Sequence, residues 1–325
     1  MRQIKISNTS KIITMITKEK SQNINLLTDF GFKRFFGTEQ YKKNLIHFLN
    51  AFLGQYIGPV KDIRYLPTEQ LGLRESEKRL VFDVFCERNE DEKIIVEMQK
   101  ADQEFLKSRI VAYSSRIISS ALESGDLEYR YPKVISIVLA DFKILELKNS
   151  DKFIQHVMLK DDDNNIFLDK MSFLLIDLSK FAGRKEFVQY ADDKEKWCYA
   201  IKNMWQMRET DIPKRYGIFH ELFEECNISK LNAMEKQDYE KSVLEYEDVK
   251  DAMKYHRKLG MDEGFEKGME KGMKKGMEKG LEKGREEGIK ALLKTAANLL
   301  KMGMAPADIA KATGLTEEQL AEILP

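Results

Sequence analysis

Asp83, Glu97 and Gln99 have the residue types and spacing to do chemistry. They lie in "RLVFDVFCERNEDEKIIVEMQK", residues 79–100, where two runs rich in Val, Ile and Phe flank a polar turn. That pattern predicts a β-hairpin. With Asn89-Glu90-Asp91 as the loop, Arg88 faces Glu92, paired residue numbers sum to 180, and Asp83 stands opposite Glu97. Directly opposed side chains have Cβ atoms about 4.5–5.5 Å apart, and like charges there repel. Alternation places Val81, Phe85 and Ile95 on the face of Asp83 and Glu97, and Phe82, Val84, Ile94, Val96 and Met98 on the other, so both faces are expected to be buried. Two close carboxylates in a half-buried setting need a shared proton or a cation. A hard divalent ion, Mg²⁺ with Mn²⁺ as the alternative, meets that need and keeps waters for substrate chemistry. Gln99 points the same way as Glu97, and Lys100 the opposite way unless the strand ends or bulges there. A one-residue slip separates the faces, which leaves the alternative of Asp83 at a sheet edge and Glu97 solvated near a strand end.

Other elements must position this pair. The stretch 102–125 predicts a helix on which Arg109, Tyr113 and Arg116 fall at i, i+4 and i+7, a single stripe. Beside a metal site such a stripe could grip a phosphate backbone; equally, it could be a solvated face with its Arg stems packed on neighbours. In "TDFGFKRFFG", Asp29 is expected as a helix N-cap, with Phe32, Phe35 and Phe36 as core anchors. "FIQHVMLKD" and "FLLIDL" read as further strands, and "KEKWCYAIKNMWQM" as an amphipathic helix with Trp197 and Trp205 in the core. Residues 209–255 are expected to be helical. His47, His156, His220 and His256 form no ligand spacing, which argues against zinc chemistry.

At 325 residues the chain can hold one large core and a small appendage. Its 54 basic and 54 acidic residues exclude a strongly basic coat, so any DNA contact must come from local clustering. Three scattered cysteines, Cys86, Cys198 and Cys226, fit a reduced, cytoplasmic compartment. No stretch approaches the roughly 20 apolar residues of a membrane span, so a membrane partner is not expected. Residues 1–22 read as a flexible N-terminal tail.

The C-terminal third is built differently. In "GMEKGMKKGMEKGLEKG", residues 268–284, glycine recurs at every fourth position between charged residues. The charges rule out a membrane Gly-x-x-x-Gly pair. Each glycine costs about 1 kcal/mol of helix stability relative to Ala, so residues 259–288 are expected to form a marginal solvated helix or a tether, with a self-pairing helix as the alternative. Residues 289–325 read as a small helical, helix-turn-helix-like module with Gly303 as a C-cap, a turn at Gly314 and Thr316 as an N-cap. Its last helix carries Glu317, Glu318 and Glu322 without Lys or Arg, the wrong sign for a DNA groove. An interaction or homo-oligomerisation role is expected instead.

Asp83 followed by Glu97-Met98-Gln99 resembles the D…(D/E)-x-K core of the PD-(D/E)XK nuclease superfamily, in the branch of recombination-promoting nucleases or putative transposases. "LLTDFGFKRFFG", "LIHFLNAFLG", "YLPTEQLG" and "VISIVLADF" are similar to that branch too. The resemblance implies an α/β restriction-endonuclease-like core, a mixed sheet flanked by helices, over residues 23–258, with a helical C-terminal extension. It implies Mg²⁺-dependent endonucleolytic hydrolysis of DNA. Asp83, Glu97 and the backbone carbonyl of Met98 would hold the metal, and Asp29 and Lys33 would lie near the site. Gln99 stands where the superfamily usually has lysine, and Phe82 where it has proline. A neutral amide can orient water but offers no charge, so Lys100 or another cation would have to substitute. The rival reading is a weak or inactive nuclease fold that binds DNA or protein.

Overall fold

The computed structural model describes residues 22–70, 80–101, 105–122, 130–144, 152–181 and 185–321. The expected tail therefore lies almost wholly outside the described residues. The chain divides into two compact units, 1–253 and 254–325.

In the first unit, helices α1 (Asp29–Phe36) and α2 (Lys42–Ile57) precede the strands β1 (Arg64–Tyr65), β2 (Glu69–Gln70), β3 (Leu80–Val81), β4 (Val84–Asn89) and β5 (Glu92–Gln99). Helix α3 (Leu106–Ser120) leads to β6 (Lys133–Ala140), β7 (Ile154–Lys160) and β8 (Ile166–Asp177), followed by α4 (Asp193–Asn203) and α5 (Ile218–Glu225). Helix α6 (Ala233–Lys301) begins in this unit and ends in the second.

Six strands form one mixed sheet in the order β1-β4-β5-β6-β8-β7. The β5, β6 and β8 strands run parallel, while β4 and β7 join antiparallel. This is the expected α/β architecture. The parallel centre reads as nearly unbroken apolar runs, such as "KVISIVLA" in β6, because both faces are covered. One face carries the larger core, in which Val84, Ile94, Val96 and Met98 meet the aromatic residues of α1, α2 and α4. Trp197 is fully buried there, its Nε1–H donating to His47 Nδ1 at 3.0 Å. Trp205 departs from the expectation: it is 36% exposed, because α4 ends at Asn203 and a 3₁₀ turn carries the ring away from the core.

The N-cap of α1 is Thr28, whose Oγ1 accepts the Gly31 N–H at 3.1 Å, and not Asp29 as expected. Both residue types cap well, and sequence could not separate neighbours. Asp29 instead pairs across one turn with Lys33 at 2.9 Å. Gly31 is needed sterically, since a Cβ there would meet the Asn25 carbonyl oxygen at 2.3 Å.

The second unit holds the remainder of α6, then α7 (Pro306–Thr313) and α8 (Glu317–Ala321). The glycine repeat is helical throughout. Ala296, Ile309, Leu315 and Leu320 form a small core. Gly314, at φ 70°, ends α7 as expected, and Thr316 caps α8 in exchange with Gln319.

Candidate active site

The β4–β5 hairpin has the expected register: Val84 faces Val96, Phe85 faces Ile95 and Glu87 faces Lys93. Near the turn the ladder shifts at a bulge, so Asn89 rather than Arg88 pairs with Glu92. Upstream, β3 leaves the main sheet to pair with β2, and Phe82 N–H donates to Thr68 O at 2.9 Å. Asp83 occupies the bend between the two sheets. This break corrects the face predicted for Phe82. Strict alternation fails at the bend, and Phe82 packs on Phe85 and Tyr113, with ring centroids 5.1 and 5.4 Å away.

At the bend the backbone ties the two carboxylates together. Asp83 N–H donates to Glu97 Oε1 at 3.3 Å, and Met98 N–H donates to Asp83 Oδ2 at 2.8 Å. Glu97 is 6% exposed. Burial, reinforced by the Asp83 charge, pushes the Glu97 carboxyl up to about 8. Burial raises Asp83 too, opposed by the Met98 N–H and the Lys33 charge. Each of these shifts marks a charge that burial disfavours and that a cation would stabilise.

Gln99 lies beside the pair, its Nε2 donating to Glu97 Oε2 at 3.2 Å. Strand β5 ends at Gln99, so alternation no longer binds Lys100, and Lys100 lines the same cavity. That cavity, about 330 Å³, is also lined by Asp29, Phe32, Asp83, Glu97, Met98, Arg109, Tyr113 and Val249. Arg109 stacks toward the Tyr113 ring at 5.9 Å, and its charge favours ionised Glu97. Arg116, further along α3, is not among the residues lining the cavity. An adjoining cavity of about 570 Å³ shares Asp29 and Asp83 and adds Lys33, Thr68, Lys241, Ser242 and Glu245. Lys33 is raised: burial opposes its charge, but Asp29 and the charges of Asp83 and Glu97 outweigh burial. A larger cavity, about 1170 Å³ and lined by residues such as Asn23, Trp205 and Arg208, lies away from the carboxylates, so size alone does not mark the site.

The donor set fits a hard divalent ion. Asp83 and Glu97 offer only oxygen, and within a strand residue N–H and C=O point to the same side. The Met98 carbonyl is thus directed, with its N–H, toward Asp83. Among the described residues no group of three or more His, Cys, Asp or Glu side chains could hold a metal. An ion here would rest on the pair, backbone oxygen and water, a set that suits Mg²⁺ chemistry.

Sequence reasoning did not single out the residues that α6 brings to these two cavities, Lys241, Ser242, Glu245 and Val249, because no spacing within the helical stretch 209–255 marks them. Nor did it find the cluster at Asp141. Asp141 N–H donates to the Gln99 carbonyl at 2.8 Å, and its buried carboxylate pairs with Lys202 and with Lys250 at 3.1 Å and accepts from Tyr246 at 2.8 Å. Burial pulls the Lys202 amine down to about 8. The cluster fastens α4 and α6 to the end of β6, next to Gln99. Of the histidines, His220 is buried, with Nδ1 2.8 Å from the Ile212 carbonyl, a structural place. The three cysteines are free and buried, and among the described residues no helix is long and apolar enough to cross a membrane.

No curated protein and no solved structure matches the chain. Its sequence does match the profile of the PD-(D/E)XK nuclease family transposases over residues 26–256, which takes in the whole sheet and every residue of the candidate site. The chain belongs to the PD-(D/E)XK nuclease family transposases, a nuclease family that acts with divalent metals.

Proposed function

We propose that this protein is a Mg²⁺-dependent DNA endonuclease, with Mn²⁺ as an alternative ion, serving recombination or DNA mobility. The observation that carries the reading is the pairing of half-buried Asp83 with buried Glu97 at the hairpin bend, lining a cavity that Lys100 and Arg109 also line. Asp83, Glu97 and the Met98 carbonyl would hold the ion. When bound, a divalent ion would supply Lewis-acid charge toward a scissile phosphate and ease deprotonation of water.

The remaining roles belong to the chain's own groups. Asp83 and Glu97 bring two negative charges into a water-poor site, kept in place by the Asp83 and Met98 N–H groups. Gln99 fixes one Glu97 oxygen and orients water with its amide. Lys100 and Lys33 supply the positive charge that Gln99 lacks, near the phosphate oxygens on which charge builds. Arg109, Tyr113 and Arg116 along α3 contact the DNA backbone, and Asp29 keeps Lys33 aimed at the site. In this reading residues 23–258 carry the nuclease, 259–288 join it to 289–325, and copies of the chain associate through the C-terminal helices. The free cysteines suit a cytoplasmic setting.

Gln99 favours a second reading, a nuclease fold that binds DNA with little turnover. Supercoiled plasmid incubated with the purified protein separates the two. The nuclease reading expects nicking with Mg²⁺ or Mn²⁺ that chelator abolishes. Binding without nicking under any divalent ion would favour the second.

A further inference from the structure

The second unit contains a surface that the nuclease reading leaves unused. From Gly264 to Lys283 α6 repeats a four-residue block of glycine, an apolar residue, an acid and a base, with Lys274 in the acid place of the third block. The apolar members Phe265, Met269, Met273, Met277 and Leu281 are 58–71% exposed. A Cβ built on any glycine from Gly260 to Gly288 would find nothing within 4 Å. Among the described residues, then, no close approach requires these glycines, and the apolar row is exposed. Glycine is a poor helix former, so these positions weaken a helix that a second helix could support.

We propose that this segment pairs with the same segment of a second copy, parallel and crossing in the right-handed sense. The proposal rests on the association through the C-terminal helices inferred above and assigns it to the repeat rather than to residues 289–325.

Residues four apart form the i±4n ridges of a helix, and two helices whose i±4n ridges interdigitate cross at about −50°. Here one i±4n row is an apolar ridge and the adjacent row a glycine groove, so the ridge of each copy can enter the groove of the other. A repeat longer than 3.6 residues also drifts in the right-handed sense. Charge fixes the direction. At 100° per residue, a mainly acidic row, Glu266, Glu270, Glu278 and Glu282 interrupted by Lys274, flanks the ridge side. The basic row, including Lys267, Lys271 and Lys275, flanks the groove side. A parallel two-fold pair sets the acidic flank of one copy against the basic flank of the other, as e and g positions do in a parallel coiled coil. An antiparallel pair would set like against like.

The test is the dimer dissociation constant of the full-length chain by analytical ultracentrifugation. Three measurements follow. Met269→Glu/Met273→Glu/Met277→Glu, which spoils the ridge, should weaken the dimer at least about tenfold, the weight of burying one or two methionines. Gly268→Ala/Gly272→Ala/Gly276→Ala should raise helicity by circular dichroism yet also weaken the dimer, because methyl groups fill the groove. Raising salt from 0.05 to 0.5 M should weaken it severalfold by screening attractive flanks. A dimer unchanged by both triple variants would overturn the proposal and leave association to residues 289–325. A dimer strengthened by salt would overturn the parallel arrangement. A wild-type monomer at all concentrations would overturn the C-terminal association as a whole.

Discussion

The β4–β5 hairpin and the glycine repeat of α6 are both short-period patterns, yet they have opposite consequences. In the hairpin, period two puts every other side chain into one of two packed faces. Met98 is 6% exposed, and two like charges are held together because the backbone around them has nowhere else to go. In the repeat, period four winds around a helix whose apolar residues are exposed among the described residues, and Met273 is 71% exposed. The same residue type is thus core in one place and free surface in the other. Pattern decides the element; what lies across from it decides whether the pattern carries load.

Truncating the same side chain in both regions should break the symmetry most sharply. Met98→Ala removes a packed side chain beside the site and should cost about 2–5 kcal/mol, read from urea unfolding of the nuclease unit. Met273→Ala should change that transition by no more than about 0.5 kcal/mol. Equal effects would mean that the repeat is part of the core. Deleting residues 264–325 carries the comparison further. It should leave the nuclease unit folded and able to nick plasmid; aggregation or loss of nicking would tie the two regions together.

The next largest effect concerns charge. The folded pKa of Glu97 is raised to about 8, so the folded state holds a proton that the unfolded chain has released. Without divalent ion, stability should fall as pH rises from the ordinary glutamate range through about 8, and be fully present below that range. Glu97→Gln should flatten this slope in thermal melts at a series of pH values, and Mg²⁺ should raise the wild-type midpoint more than that of the variant. A wild-type slope as flat as the variant's would show that the pair is not strained.

Gln99→Lys should have a smaller and more local effect. With Lys33 and Lys100 already supplying the charge, an ammonium in place of an amide that touches Glu97 should crowd the site and lower nicking. A rise of about tenfold would show that charge is lacking there, and no change would remove Gln99 from the site.

Much of the site was legible because it is local. The alternation of β4 and β5 gave the register from Val84 to Glu87, and it brings Asp83, at the bend just before the ladder, beside Glu97 and Met98. The face of Phe82 was not legible, since it depends on β3 leaving to pair with β2, a choice made by tertiary structure. Lys100 was legible as a candidate, but its side depended on where the strand ends, which it does at Gln99. Asp141, Lys202, Tyr246 and Lys250 are brought together by the packing of β6, α4 and α6, and no spacing announces them. Trp205 misled because an amphipathic pattern ran on past the end of α4. In the repeat, sequence left a helix and a tether both open, and the chain takes the helix.

The most direct test of the central claim is the nicking rate of supercoiled plasmid by Asp83→Asn beside wild type, in Mg²⁺ and in Mn²⁺, with folding checked by circular dichroism. The account predicts a folded variant, at least as stable as wild type without ion, whose nicking falls by at least about a hundredfold. Nicking at the wild-type rate by the folded variant in both ions would contradict it.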